Sequence, residues 1–283
     1  MGVDAAQIEL AGAEGPPAVR ERAPSGAPLL EPTPRGRAER LANAVGAVHP
    51  VRVFLAAILS GYFLLVGLTI AVGFLLTRVL LEIDAVASFD QDVSEWLERE
   101  RTPALIDLSW VGSTLSGGVV IPLVVGALLV LFLAFRHWRL AAFTLFVICV
   151  EAGTYAATTF VVHRDRPDVN RLESLPVDAS YPSGHVAASV ALFGGILILL
   201  ASRVEQRALK IALWLLAVAI PVFEIWSRML RGMHHATDVT AGVLMGIGAI
   251  VVTVFACRAA GAAAARRDSD RRTGGPLTKG SAP

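Results

Sequence analysis

Long apolar stretches, separated by short polar connections, dominate the chain between residues 53 and 257. A helix of about 20 mostly apolar residues crosses the roughly 30 Å hydrocarbon core of a bilayer. Six stretches meet or approach this length: 53–80, 110–135, 140–162, 186–201, 208–226 and 239–257. The pattern therefore predicts an all-α fold, an integral membrane bundle of six transmembrane helices.

The two ends of the chain differ in composition from this middle part. Residues 1–50 are rich in Ala, Pro, Glu and Arg and have no apolar periodicity, and residues 259–283 are rich in Ala, Gly and Arg. Such segments do not bury enough apolar surface to offset the entropy of ordering the chain. We therefore expect two disordered tails around one six-helix membrane domain, 51–258.

Basic residues mark the connections that should remain in the cytoplasm, because Lys and Arg near short loops resist translocation. The second and third spans are joined by a turn with Arg136 and Arg139, and the fourth and fifth by a loop with Arg203 and Arg207. Both termini of a six-span chain then lie in the cytoplasm. The polar loops 163–185 and 227–238 should emerge on the extracytoplasmic side of an inner or plasma membrane.

The overall composition excludes several classes of function. The chain is 54% hydrophobic and only 17% charged, which is too apolar for a soluble domain of this length. Its formal net charge of +1 supplies no basic field for nucleic acid. Cys149 and Cys257 lie in apolar stretches without partner spacing, so they indicate neither a disulfide framework nor a zinc site. We expect no nucleic-acid partner, no cofactor and no metal, and the sequence leaves the oligomeric state open.

Three polar clusters interrupt the apolar pattern, at 166–167, 182–185 and 227–238. Arg166 and Arg228 offer planar guanidinium groups that match the oxygens of a phosphate in bidentate fashion. Ser183 and Gly184 precede an apolar helix, so a hydroxyl and backbone N–H groups would face an anion beside the positive end of that helix. The clusters therefore predict a phosphate site that needs no metal.

Two histidines add the chemistry of phosphoryl transfer. His234 and Asp238 are four residues apart, so on a helical turn the carboxylate can accept the ring N–H and leave the other nitrogen to attack phosphorus. His185, on a different span, can protonate the departing oxygen. His234 must then start neutral and His185 charged, which requires different environments. His235, three residues before Asp238, is the competing nucleophile.

These clusters resemble the signature motifs of the type 2 phosphatidic acid phosphatase (PAP2) superfamily, which are K-x6-R-P, P-S-G-H and S-R-x5-H-x3-D. Residues 182–185 match the second motif in full, and the third is matched by Ser227, Arg228, His234 and Asp238. The resemblance covers about residues 86–257. It implies a bacterial membrane lipid phosphatase with the helical core that this family shares with haloperoxidases.

The resemblance also implies roles for individual residues. It gives His234 as nucleophile, Asp238 as its orienting partner and His185 as general acid. The implied phosphate binders are Arg166, Ser183, Gly184 and Arg228.

One position departs from the family pattern. Thr159 stands where the first motif has lysine, so the site would hold a hydroxyl where an ammonium is expected. Arg164, His163 or Arg231 could supply the missing charge, and the sequence does not choose among them.

Two acidic residues lie inside predicted spans, where an ionised carboxylate costs several kcal/mol unless it is partnered. Glu151 is interpreted either as a protonated acid in an interhelical hydrogen bond or as part of a polar cavity. Glu224 is interpreted either in the same structural way or as a partner that holds Arg228, one turn away. Between the first two spans, residues 89–97 have the spacing of a short amphipathic helix, either interfacial or a solvated connector.

The sequence thus predicts a metal-independent membrane phosphatase that hydrolyses a lipid phosphate or diphosphate through a phosphohistidine intermediate. Its partners would be membrane lipids and one lipid substrate: a polyprenyl diphosphate, phosphatidylglycerol phosphate or phosphatidic acid. Two alternatives remain. One is a lipid phosphotransferase that uses the same site, and the other is a non-catalytic phosphate-binding homologue or transporter, which Thr159 keeps open.

Overall fold

The computed structural model describes residues 27–45, 48–174 and 179–272, and within these ranges all regular structure is helical. The helices are α1 (Arg37–Val45), α2 (Pro50–Arg78), α3 (Asp84–Arg99), α4 (Pro103–Leu115), α5 (Val120–Ala134), α6 (Trp138–Val161), α7 (Gly184–Ser189), α8 (Gly195–Ala201), α9 (Arg207–Leu230) and α10 (Ala236–Arg272). A π-helical segment, Val190–Gly194, joins α7 to α8 in one continuous span. The predicted all-α membrane bundle is confirmed.

The second predicted span is broken rather than continuous. Five helices are long and apolar enough to cross a membrane, and the pair α4 and α5, bent by 46°, makes a sixth if it is counted as one span. The break falls at Ser116, Gly117 and Gly118, where two glycines lower the helix propensity. The first half also begins earlier than predicted, at Pro103, because the Thr102 side chain caps it by accepting a hydrogen bond from the Leu105 N–H (3.3 Å).

The prediction of disordered tails is wrong for the parts of the tails that the structure describes. Residues 37–45 form α1, which packs against α10, and Leu30 just before it is fully buried. The Arg258 guanidinium donates to the Leu29 carbonyl (2.8 Å). The Ala-rich segment after Cys257 continues α10 to Arg272, because alanine has the highest helix propensity and its small side chain lets neighbouring helices pack closely. Residues 1–26 and 273–283 of the predicted tails lie outside the described residues.

Close contact between α10 and α7 fixes the relative position of two polar clusters. A Cβ atom added to Gly242 would lie 2.6 Å from the Ser183 carbonyl oxygen, and one added to Gly246 would lie 2.7 Å from the Ala187 carbonyl oxygen. Only glycine permits this approach. The start of α7 is thereby held against the start of α10.

The polar clusters lie at the opposite end of the bundle from α1 and the C-terminal part of α10. Helices α6 and α9 end, and α7 and α10 begin, at one end, which α3 and the loop after α6 cover. The amphipathic pattern of α3 is present: Asp90, Ser94 and Leu97 are buried, whereas Phe89 and Trp96 are exposed. Helix α1 packs at the other end, where the Arg266 side chain donates to the Asn43 carbonyl (2.8 Å).

Candidate active site

A cavity of about 380 Å³ opens where the polar clusters meet. Its polar end is formed by the side of α6 near Tyr155, the start of α7 and the loop before α10. Its apolar end lies deeper among α5, α6 and α7. The lining residues at the polar end are Tyr155, Arg166, Gly184, His185 and His234.

His234 is held in one tautomer by the backbone. It is 3% exposed, and its Nδ1 lies 2.7 Å from the Ser180 carbonyl oxygen. Because a carbonyl oxygen can only accept, Nδ1 carries the proton and Nε2 keeps its lone pair. Burial, with the nearby positive charges of Arg228 and Arg166, lowers the pKa of His234 well below its usual value. The ring is therefore neutral at neutral pH, the state that nucleophilic attack requires.

The predicted hydrogen bond between His234 and Asp238 is wrong. The Asp238 carboxylate instead accepts from the Ser180 hydroxyl and from the His235 backbone N–H (2.9 Å), and it pairs with Arg164. Helix α10 begins at Ala236, so His234 precedes the helix and the i, i+4 geometry does not reach it. Asp238 acts on His234 through Ser180. It accepts a hydrogen bond from the Ser180 hydroxyl, and the backbone carbonyl of Ser180 orients the His234 ring.

His235, the competing nucleophile, faces away from the cavity. Its Nδ1 lies 3.3 Å from the Asp238 carboxylate, and its ring is not part of the cavity lining. Burial lowers the pKa of His235, although the Asp238 charge raises it in part. The geometry therefore favours His234 over His235.

Several donors for an anion lie beside His234. Arg228 is fully buried, and its Nη1 donates to the Ser113 hydroxyl and to the Glu173 carboxylate (2.7 Å). Its Nε and Nη2 have no hydrogen-bond partner among the described residues, and neither has the buried hydroxyl of Ser183. Buried donors left unpaired cost free energy that a bound anion would recover. Arg166 lines the same cavity and donates to the Met233 carbonyl.

Ser183 also occupies the N-cap position of α7. The N–H groups of the first helical turn have no intrahelical acceptor and carry the positive end of the helix dipole. Arg228 and Ser183 do not line the cavity themselves, but the Arg228 charge acts on His234, and Gly184 and Arg166 in the cavity wall make this end suited to an oxyanion. Within the described ranges, no group of three or more His, Cys, Asp or Glu residues could hold a metal ion.

Glu173 is a site residue that sequence reasoning missed. Its carboxylate pairs with both Arg228 and Arg231 and accepts from the Ser113 hydroxyl (2.6 Å). Partial burial raises the pKa of Glu173, but the two arginines and the hydroxyl outweigh it and hold the pKa at about 2. These contacts join positions at least 55 residues apart, so no local spacing could have indicated them.

None of the proposed substitutes for the missing lysine lines the cavity. The hydroxyl of Thr159 bonds the Tyr155 carbonyl of its own helix (2.9 Å). Arg164 binds Asp90 (2.6 Å), Thr237 (2.7 Å) and Asp238. Arg231 binds Glu173 and the Ser109 hydroxyl (3.0 Å), and His163 is exposed. The two arginines tie loops together, and the predicted charge compensation is wrong for them.

Neither buried acid forms, with any described residue, the interhelical hydrogen bond that the structural interpretation expects. Glu151 lines the cavity and forms no hydrogen bond or ion pair with any described residue. Glu224 is buried, and both its carboxyl oxygens lack a partner in the described part of the chain. The interpretation that Glu224 holds Arg228 is wrong, because Ser113 and Glu173 occupy Nη1 instead.

Fold and site together define a multi-pass membrane protein with a buried oxyanion pocket next to a neutral histidine. Residues 138–260 match the family described as the PAP2 superfamily. A curated relative, an undecaprenyl-diphosphatase of Sulfolobus acidocaldarius, is 34% identical over 122 residues, which are 41% of this chain and 55% of the relative. The match thus spans about half of that relative's length.

Two solved structures are similar to the chain. One is a transmembrane PAP2-type phosphatidylglycerolphosphate phosphatase from Bacillus subtilis, with a TM-score of 0.55 and 22% identity, covering 72% of this chain and 93% of that one. The other is LpxE from Aquifex aeolicus, with a TM-score of 0.45 and 24% identity, covering 58% and 93%. The PAP2 resemblance is confirmed: residues 138–260 match the PAP2 superfamily, and the first structure shows that the fold is shared.

Proposed function

We propose that this chain is a metal-independent membrane phosphatase that removes a phosphate from a lipid phosphate or diphosphate through a phosphohistidine. One observation carries the proposal: a neutral histidine with Nδ1 fixed on a carbonyl shares a cavity wall with Arg166 and with Gly184 at the start of α7. The match of residues 138–260 to the PAP2 superfamily supports it.

The first half-reaction uses His234 as nucleophile. Its Nε2 lone pair forms a bond to phosphorus while the bond from phosphorus to the lipid oxygen breaks. The Nε–Nη2 edge of Arg228, the Ser183 hydroxyl and the first turn of α7 stabilise the equatorial oxygens. The negative charge of the bound phosphate favours the protonated form of His185, on the same cavity wall, and His185 then gives this proton to the departing lipid oxygen.

In the second half-reaction, water attacks the phosphohistidine. His185, now neutral, takes a proton from the water as the phosphorus–nitrogen bond breaks, and His234 regains its lone pair. The Ser180 carbonyl keeps its hydrogen bond to Nδ1 throughout, so the positive charge that develops on the ring has a fixed acceptor. Asp238 holds Ser180 in place through the hydroxyl.

The proposed substrates are a polyprenyl diphosphate, phosphatidylglycerol phosphate or phosphatidic acid. The archaeal relative, named as an undecaprenyl-diphosphatase, supports the first. We place the site on the extracytoplasmic side and both termini in the cytoplasm. The basic connections with Arg136 and Arg203 lie at the end of the bundle opposite the site, which supports this orientation.

The test is phosphate release from a panel of these lipids by the purified full-length chain in detergent. His234→Ala should lower kcat by on the order of 10³-fold or more, because the nucleophile is lost. His235→Ala is the matched control and should keep most of the activity. Excess EDTA should leave the rate unchanged.

Three outcomes would contradict the proposal. They are a rate abolished by EDTA, activity lost in His235→Ala and retained in His234→Ala, and no phosphate release from any lipid. Phosphate found on an added acceptor lipid instead of in solution would identify the phosphotransferase alternative.

A further inference from the structure

Glu151 is an acid inside a membrane span whose environment the phosphatase chemistry does not explain. It lies on α6, is 3% exposed, and contributes to the wall of the same cavity as His185, His234 and Arg166. The carboxyl group makes no hydrogen bond or ion pair with any residue that the structure describes. A membrane-buried acid normally has a partner, because leaving it without one costs several kcal/mol.

The position of Glu151 along the cavity indicates which part of a substrate it meets. Tyr155 marks the level of the phosphate site, since a Cβ atom added to Gly184 would lie 2.9 Å from its ring. Glu151 is four residues earlier on the same helix, which places it about 6 Å deeper in the membrane. A substrate whose phosphate binds at Gly184 would bring its leaving group, rather than the transferred phosphate, to Glu151.

The surrounding cavity wall limits the chemistry of the missing partner. The residues near Glu151 on α5, α6 and α7 are mainly apolar: Ile121, Pro122, Ile148, Ala152 and Ala188. None of them offers a donor or a positive charge. A hydrocarbon chain also offers no hydrogen-bonding group, and burial favours the neutral form of a carboxyl group, which can both donate and accept a hydrogen bond. A hydroxyl or an amine supplies what the carboxyl group lacks.

We propose that Glu151 determines substrate specificity by accepting a hydrogen bond from a hydroxyl or amine that the lipid carries within a few bonds of its phosphate. This inference rests on the proposed function and narrows its substrate class. Lipid phosphates with such a donor are preferred over lipid phosphates without one.

A matched substrate pair tests the inference on the purified full-length chain. Lysophosphatidic acid carries a free hydroxyl beside the phosphate ester, and its 2-O-methyl ether differs only in lacking that donor. We expect the wild-type chain to prefer the hydroxyl form by at least about tenfold in kcat/KM, because a site built around a substrate hydroxyl discriminates strongly against its absence.

Variants of the acid complete the test. Glu151→Leu should remove the preference by slowing turnover of the hydroxyl form alone, and Glu151→Gln, which keeps one acceptor oxygen, should retain part of it. Glu224→Gln changes a buried acid that does not line the cavity, so it should leave the preference intact. Thermal melting should show Glu151→Leu folded, since the substitution removes a buried carboxyl without a partner.

The outcomes separate this inference from the function on which it rests. Equal kcat/KM for the two lipids, or a preference that survives in Glu151→Leu, would overturn the role of Glu151 while leaving the phosphatase intact. Without any turnover the proposed function fails, and binding of hydrolysis-resistant phosphonates of the same pair then decides the role of Glu151. Tighter binding of the hydroxyl phosphonate to wild type, abolished in Glu151→Leu, supports it, and equal binding refutes it.

Discussion

At the scale of single residues, the site depends on the residues that hold the motif side chains in place as well as on the motif residues themselves. His234 owes its tautomer to the Ser180 carbonyl, and Ser180 is held in turn by Asp238. Arg228 keeps its Nη1 on Ser113 and Glu173, which leaves the Nε–Nη2 edge for an anion. A carboxylate with a pKa of about 2 stays ionised throughout the working range. It therefore offsets the buried arginine charge at every pH of interest.

The lowered pKa of His234 predicts the acid side of the pH profile. A histidine whose pKa falls on folding remains neutral until the pH drops through that lowered value. A free histidine is half protonated at about pH 6.5, so the nucleophilic activity of His234 should persist below this pH. The kcat/KM profile, corrected for ionisation of the substrate phosphate, should have the acid limb assigned to His234 below that pH. A limb at or above pH 6.5 that moves in His234 variants would contradict this.

At the scale of helices, the site is assembled by close packing between spans. The glycines of α10 bring the His234 loop against the N-terminus of α7, and the polar network of Asp90, Arg164 and Asp238 ties α3 to the start of α10. Helix α3 therefore contributes a buried carboxylate to the site end of the bundle, and its exposed Phe89 and Trp96 face outward. The break between α4 and α5 lines the cavity.

Gly246→Ala should test the α10–α7 contact. The added Cβ atom would meet the Ala187 carbonyl at 2.7 Å, and such overpacking typically costs about 1–3 kcal/mol of stability. Because it forces the two histidines apart, kcat/KM should fall by about 10- to 100-fold. Gly126→Ala, where the added atom has nothing within 4 Å, is the matched control and should be neutral. Melting temperature and phosphate release measure both effects, and equal behaviour of the two variants would refute the contact's role.

At the scale of the whole molecule, the bundle separates the site from α1 and the C-terminal part of α10. The polar loops and the cavity occupy one end, and α1, the C-terminal part of α10 and the basic connections occupy the other. Apolar side chains such as Leu64, Val130 and Phe160 cover the outer surface between the two ends. This is the surface that a protein embedded in lipid presents.

Cysteine labelling in intact cells tests the proposed orientation. In a chain with Cys149 and Cys257 changed to Ser, Asp168→Cys lies in the exposed loop at the site end and Glu205→Cys in the exposed loop at the opposite end. A membrane-impermeant maleimide should label Asp168→Cys from outside and Glu205→Cys only after lysis. The reverse pattern would place the site in the cytoplasm.

The sequence alone determined the approximate limits of the spans, because lipid imposes a length and polarity that any apolar stretch must meet. It also allowed the phosphate and histidine motifs to be recognised, because the residues within each motif lie a few positions apart. Only the tertiary structure decided the contacts that orient them. The Ser180–His234, Glu173–Arg228 and Asp90–Arg164 pairs join positions 54 to 74 residues apart. Two of the errors of local reasoning, at Asp238 and in the tails, have related causes. Helical spacing does not hold where the helix has not begun, and packing against a neighbouring helix orders a segment whose own composition does not.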